Sequence, residues 1–434
     1  MKRVVVCSLA VLVMVARGEA QRTALDAEIA GVYGQSELLY RDLHQHPELS
    51  MHEQNTAATL AAALRASGYD VTTGVGKTGV VGVLKNGDGP VVMLRTELDA
   101  LPVEEMTGLP FASRARAKDD NGVDVAVMHA CGHDLHMAAW VGTARVMAAA
   151  KSRWRGTLVM VGQPGEEGAG GAAAMIADGF FNRFPRPAFA IAVHDDARSP
   201  AGVVGYHAGP VMTNYDTVHI TLIGRGGHGA RPESTVDPVV LAARVITALQ
   251  TIVSRETSPF DPAVVTVGSI HGGTRANIIP DEVKLELSVR SLTDQTRARL
   301  FSAIERIVNA EAAAAGAPKP PVITRESPAN ALVNDTSLTS RVAAALVREL
   351  GREQVKDTPP EMVSEDFSEF ARGGVPALML RIGAVEPSRL VEAARTRAEL
   401  PSLHSSQFAP QLEPTLKAAI AAEVVALREL MPVK

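Results

Sequence analysis

Val91-Val92-Met93-Leu94-Arg95 is a strand-like apolar run, and Thr96-Glu97-Leu98-Asp99 follows it with two carboxylates. An apolar run without alternation suits a strand covered on both faces, the usual setting of a parallel sheet flanked by helices. The pattern recurs at Thr157-Leu158-Val159-Met160-Val161 and at Phe189-Ala190-Ile191-Ala192-Val193. Helical stretches are expected between and after these runs, at about 133–150 and 172–177. Strands alternating with helices predict an α/β domain with a mainly parallel sheet. Upstream, residues 22–67 carry helical periodicity, broken at His46-Pro47 and stopped at Gly68, and Val80–Leu84 reads as a further strand. After residue 326 the α/β character returns, with a strand at 376–382 and a last helix around 412–430.

Residues 213–326 follow another rhythm. Strand (217–223), helix (238–254), strand (263–270), strand (283–289), helix (294–314) and strand (322–325) make a β-α-β-β-α-β order, which is ferredoxin-like. Because it is complete within itself, it is expected as a domain inserted into the first. The predicted organisation is therefore a signal segment at 1–20, a first domain at 21–212 and 327–434, and the insertion at 213–326.

The chain has 434 residues, 46% apolar and 21% charged, with a formal net charge of −5. These values are those of a soluble globular protein and give no support to nucleic-acid or anionic-membrane binding. Met1-Lys2-Arg3, the apolar run Val4–Val15 and the small residues Gly18 and Ala20 predict a secretory signal cut after Ala20. No later segment is read as membrane-spanning, so a secreted or periplasmic protein is expected. Removal of Cys7 with the signal leaves Cys131 alone, and metal ligation is a good reason for an unpaired thiol in an exported chain.

In an open parallel sheet the carboxyl ends of the strands share one edge, where sites are built. Glu97 and Asp99 follow one strand, Glu166 and Glu167 a second, and His194 a third. Cys131 and His133 follow the apolar stretch 125–128. Singly, each has an ordinary structural explanation; their convergence on one edge points to a metal centre. Thiolate, imidazole and carboxylate together suit zinc, manganese, cobalt or nickel. Two adjacent glutamates can divide the work, one as ligand and its neighbour as general base on a metal-activated water.

Further motifs carry a family resemblance. Asp42-Leu43-His44-Gln45-His46-Pro47-Glu48, Asp99-Ala100-Leu101-Pro102-Val103, His129-Ala130-Cys131-Gly132-His133-Asp134 and Gln163-Pro164-Gly165-Glu166-Glu167 occur in order. They are followed by Ala192-Val193-His194, Gly224–Ala230, Asn277-Ile278-Ile279-Pro280-Asp281 and Ser364-Glu365-Asp366-Phe367. From about residue 35 onward the chain resembles the hippurate hydrolase and indole-acetyl-amino-acid hydrolase group of the aminoacylase and carboxypeptidase metallohydrolases. The resemblance implies a two-metal catalytic domain with an inserted lid or dimerisation domain, and a homodimer or higher oligomer. It implies Cys131 as the bridge between two divalent ions, with His133, Glu167, His194 and His404 as further ligands. It gives Glu166 as general base and Asp99 as the residue that orients a ligand. His228, from the glycine-rich turn, would stabilise the oxyanion in the partner's site. Asn277 and Arg290 would meet the scissile carbonyl and the substrate carboxylate.

The implied reaction is hydrolysis of the amide of an N-acyl amino acid, with a carboxypeptidase or dipeptidase as the alternative. The complete set of candidate ligands argues against a non-catalytic binding protein. Two departures stand out. Relatives usually carry Ala-Asp-Met-Asp where this chain has Thr96-Glu97-Leu98-Asp99, which leaves the part of Glu97 in the metal site open. Asp195-Asp196 after His194 is expected to face the substrate, repelling an anionic one or positioning a cationic one. His44 and His46 are read as structural, and His136 as a pocket-lining residue outside the ligand set.

Overall fold

The computed structural model describes residues 2–168 and 170–433, without the side chains of residues 2–22 and 328. The expected signal segment, with Cys7, lies outside the described side chains. Two helices, α1 (Lys2–Gln45) and α2 (Gln54–Ala66), precede strands β1 (Asp70–Val75), β2 (Gly79–Asn86) and β3 (Val91–Glu97). A hairpin, β4 (Arg116–Lys118) and β5 (Asp124–Ala126), leads to α3 (His133–Ala149), β6 (Gly156–Gln163), α4 (Gly171–Ala177) and α5 (Phe180–Arg183). Then come β7 (Phe189–Pro200), β8 (Val204–Tyr206), β9 (Gly209–Met212), β10 (Asn214–Ile223), β11 (Gly227–His228) and α6 (Pro238–Thr251). They are followed by β12 (Ala263–His271), β13 (Ile278–Ile279), β14 (Glu282–Ser291), α7 (Asp294–Ala314), β15 (Val322–Ala329) and β16 (Leu332–Asn334). The chain ends with α8 (Thr336–Leu350), β17 (Val355–Asp357), α9 (Ser368–Arg372), β18 (Ala377–Val385), α10 (Pro387–Thr396) and α11 (Leu412–Leu430).

These elements form two compact units. The first comprises the chain up to Gly209, Asn334–Pro359 and the residues from Glu369 on; the second comprises Pro210–Val333 and Pro360–Ser368. In the first, an eight-stranded sheet has the order β1-β2-β6-β3-β7-β18-β8-β17. Its central strands β6, β3, β7 and β18 are mutually parallel, whereas β1 and β2 join antiparallel. β18 is buried along its whole length, as a strand covered on both faces must be. Helix α3 supplies Trp140, whose Nε1 donates to Leu94 O at 3.0 Å, and packs with α11 residues Ile420 and Leu427 in one core.

The second unit holds a four-stranded antiparallel sheet in the order β12-β14-β10-β15, the ferredoxin-like arrangement. Val218, Ile220 and Leu222 of β10 and Val283, Leu285 and Leu287 of β14 alternate inward, as a sheet with one covered face requires. They meet Leu241, Val245 and Leu249 of α6 and Leu300, Ile304 and Val308 of α7. Both helices begin at side-chain caps: Asp237 accepts from Val239 N, and Thr293 from Thr296 N.

Three expectations change. Residues 238–256 are long and apolar enough, by composition, to cross a membrane, contrary to the reading that no later segment is. Leu241, Val245 and Leu249 nevertheless place α6 in the core of the second unit. The second unit runs on to Val333 and includes 360–368, beyond the expected 213–326. Thr213 N donates to Val363 O at 2.7 Å, and the Arg290 guanidinium to Met362 O at 3.2 Å, tying that distant segment in. Third, β7 does not stop at Val193 but continues through His194 to Pro200 beside β18.

Candidate metal centre

Strand register fixes the framework of the site. Glu97 of β3 pairs with Gln163 of β6, and Arg95 pairs with Ala192 of β7, so His194 stands level with Glu97 two residues further on. The turn after β6 brings Glu166 and Glu167 to this edge. Cys131 and His133 arrive at the N-terminus of α3. Gly132 caps that helix in the left-handed region at φ 78°, where an L side chain is strained.

All five candidate ligands converge in the first unit. The Cys131 Sγ lies 3.6 Å from His194 Nε2 and 3.2 Å from His404 Nε2. His404 Nε2 is 3.1 Å from Glu167 Oε1, and Cys131, His133 and Glu167 place ligand atoms within 4.8 Å of one another. His404 sits at φ 66° and is anchored by its N–H to Ala130 O at 2.8 Å.

The outer partners orient these groups. His133 donates Nδ1–H to Asp99 O at 2.8 Å, leaving the buried Nε2 without a hydrogen-bond partner. His194 Nδ1 faces Asp195 O at 2.9 Å, so its Nε2 turns to Cys131. Asp99 is fully buried; its Oδ2 accepts from Ser50 Oγ at 2.6 Å and from the Glu167 N–H at 2.9 Å. It therefore holds the backbone of one candidate ligand and, through its carbonyl, the ring of another.

The electrostatics favour a bound cation. Burial, then Glu167, Glu166 and Asp195, push the Cys131 thiol well above its usual range. A thiolate among these carboxylates needs compensating positive charge, and the orphaned His133 Nε2 aims a free lone pair into the same space. The donor set fits divalent metal.

Glu97, His133, His136 and His194 make a second close group. Glu97, however, forms a buried ion pair with Arg95, and its Oε2 lies 3.0 Å from His136 Nδ1. In this structure its carboxylate is engaged by those two partners. Asp195 and Asp196 are 2% and 6% exposed and engage neighbouring protein groups, where the sequence reading set them toward substrate. Asp196 accepts from Arg198 N and Ser199 Oγ, and Asp195 turns to the histidines. Sequence reasoning missed Arg95 and Asp195 as parts of the site. Arg95 and Glu97, two apart on one strand, share a face, and that spacing was the available signal. His44 is buried between Asp134 (2.6 Å) and Glu105 (3.1 Å), whereas His46 is exposed.

In the second unit, His228 and Asn277 lie together on the β11–β13 ribbon, where Gly229 N donates to Asn277 O at 2.9 Å. Both side chains belong to exposed residues. A Cβ on Gly226 would stand 2.7 Å from Ile279 O, so glycine is needed for this close approach. His228 Nδ1 accepts from Ala230 N at 3.0 Å, which places the proton of the neutral ring on Nε2. Arg290 lies over the Tyr215 ring, 4.6 Å from its centroid, with its fork held by Met362 O.

A convergent thiol, imidazole and carboxylate set at the edge of a parallel sheet defines a metallohydrolase. The model of peptidase family M20/M25/M40 matches residues 93–404. The chain is 36% identical to the N-acetyl-L-cysteine deacetylase of Bacillus subtilis, covering 76% of either chain. It is 41% identical to the hippurate hydrolase of Campylobacter jejuni, over 62% of this chain and 68% of that one. A solved dinuclear metal-binding peptidase of the M20 family from Bacillus subtilis superposes with a TM-score of 0.75 at 27% identity, covering 92% and 98%. The chain belongs to this peptidase family and is a metal-dependent hydrolase of amide bonds.

Proposed function

We propose that this enzyme cleaves the amide of N-acyl amino acids, and that Cys131, His133, Glu167, His194 and His404 would hold two divalent ions. The observation that carries the reading is the convergence of Cys131 Sγ, His194 Nε2, His404 Nε2 and Glu167 Oε1, with His133 Nε2 left without a partner. Kinship to a deacetylase of N-acetylcysteine and to a hippurate hydrolase supports the substrate class. Bound ions would supply Lewis-acid activation of the scissile carbonyl and of water. Zinc, manganese, cobalt and nickel all suit these donors.

Glu166, half-buried beside Glu167 and close enough to raise the Cys131 thiol, is the base that takes the proton from attacking water. It then delivers that proton to the leaving nitrogen. Asp99 keeps Glu167 and His133 in place. His228, supplied from a second copy, donates Nε2–H to the developing oxyanion; the tautomer set by Ala230 N–H suits that task. Asn277 stands with it toward the carbonyl. Arg290 offers its planar fork to the substrate carboxylate, prepositioned over Tyr215.

A homodimer through the second unit accompanies this reading. The terminal place of β12 in its sheet, with Ile270 half exposed, and the exposed Val239 and Val240 of α6 support it. Export with cleavage after Ala20 is supported by the basic, apolar and small-residue order of the N-terminus. The test is a product screen of the metal-loaded enzyme over N-acyl amino acids and dipeptides. Release of free amino acid from the acylated set is expected; turnover of dipeptides alone would replace the proposed substrate class with a dipeptidase.

A further inference from the structure

A line of buried polar side chains crosses the first unit beneath the candidate ligands. Arg95 Nε donates to Gln163 Oε1 at 2.9 Å, and the Arg95 guanidinium pairs with Glu97. Glu97 Oε2 lies 3.0 Å from His136 Nδ1, and His136 Nε2 accepts from Asp195 N–H at 2.9 Å. Because Nε2 accepts, a neutral His136 carries its proton on Nδ1 and donates it to Glu97. The Asp195 carboxylate stands 3.2 Å from His194 Nδ1 and 3.3 Å from His136 Nε2. Its position leaves no room for a side chain at residue 132, where a Cβ would fall 2.1 Å from Asp195 Oδ2.

The five members lie on four segments that lead to the site. Gln163 closes β6, from which the turn to Glu167 departs, and Arg95 and Glu97 close β3, which leads to Asp99. His136 lies one helical turn after His133, and Asp195 follows His194 on β7. All five residues are at most 2% exposed. Burying two carboxylates and a guanidinium is expensive unless they are mutually paired, so a chain of partners resists displacement of any one segment.

We propose that Gln163–Arg95–Glu97–His136–Asp195 is a buried tie that fixes the spacing of the metal ligands, with Glu97 and Asp195 as positioning residues and neither as a ligand nor a substrate contact. The proposal rests on the metal centre described above. The Asp195 backbone carbonyl, with the Asp195 carboxylate adding negative charge 3.2 Å from His194 Nδ1, turns the His194 ring so that Nε2 meets Cys131, and Glu97 holds His136 against the Asp195 backbone. A purely structural role would change stability while leaving the metal affinity of folded protein untouched.

The experiment measures metal affinity, by calorimetric competition with a chelator, and the visible spectrum of the cobalt(II)-loaded protein. It compares wild type, Asp195→Asn, Glu97→Gln and the double variant. Wild-type protein that binds no metal would refute the metal centre itself. Given wild-type binding, each single variant should lose about 10–100-fold in affinity, as removal of groups behind metal ligands commonly does. Its cobalt spectrum should change, and the double variant should lose less than the product of the singles because both act through His136. Folded single variants with wild-type affinity and spectrum, or a double variant whose losses simply multiply, would overturn the tie. Should Glu97→Gln fail to fold, Asp195→Asn, which leaves the Arg95–Glu97 pair intact, decides alone.

Discussion

Glu423 offers a quantitative test of the packing between α3 and α11. It is fully buried, and its Oε2 accepts from Thr143 Oγ1 at 2.5 Å while Oε1 has no partner. Burial pushes its carboxyl up from 4.5 to about 8, so it is held as the neutral acid at pH 7. The folded value lies above the unfolded one, so the neutral acid's contribution is fully present below pH 4.5 and lost as pH rises through about 8. That displacement corresponds to about 5 kcal/mol against the folded state in alkali, and to about 3 kcal/mol at pH 7. Glu423→Gln keeps the shape and the acceptor for Thr143 but cannot ionise. Urea unfolding of metal-free wild type and variant at pH 5, 7 and 9 should show the variant gaining stability relative to wild type by about 4 kcal/mol across that range. A difference that stays constant from pH 5 to pH 9 would refute the reasoning, because it would mean that Glu423 ionises in the folded protein as it does in the unfolded chain.

Glu166→Gln should retain metal yet lose about 10²–10⁴-fold in kcat, read from metal analysis beside steady-state kinetics. Cys131→Ser should lower metal occupancy and activity together while its circular dichroism matches wild type. His228→Ala should cost about 10²–10³-fold in kcat with little change in metal content, and equal kcat would remove it from the reaction. His44, pushed up to about 10 against burial by Asp134 and Glu105, contributes stability that is full below pH 6.5 and lost as pH rises toward 10. His44→Gln should therefore destabilise at pH 6 and by less at pH 10, as thermal melts would show.

The parallel sheet was legible because its strands are apolar on both faces, so β3, β6 and the interior of β18 declare themselves without neighbours. Helices α7 and α11 were placed at Asp294–Ala314 and around Leu412–Leu430 from their periodicity, and they have those bounds. Glu166, Glu167 and His194 were legible because strand ends in such a sheet share an edge, whereas the strand ahead of Cys131 and His133 belongs to a separate hairpin and His404 came from the resemblance alone. What escaped was polar and long-range. The continuation of β7 past Val193 is written in aspartates that read as a loop, and only their burial against His136 and His194 makes them strand. The tie of 360–368 to Thr213 and Arg290 joins positions far apart in the chain. The pairing of Glu97 with Arg95 depends on where two side chains point, which the sequence does not carry.

The central claim is that Cys131, His133, Glu167, His194 and His404 would hold the two divalent ions that this amidohydrolase needs. Metal analysis of purified protein, with activity on an N-acyl amino acid measured before and after chelation, tests it most directly. The account predicts about two equivalents per chain in wild type, activity abolished by the chelator and restored by metal, and depleted metal in Cys131→Ser. Full activity in protein stripped of metal, or undiminished metal content in Cys131→Ser, would contradict it.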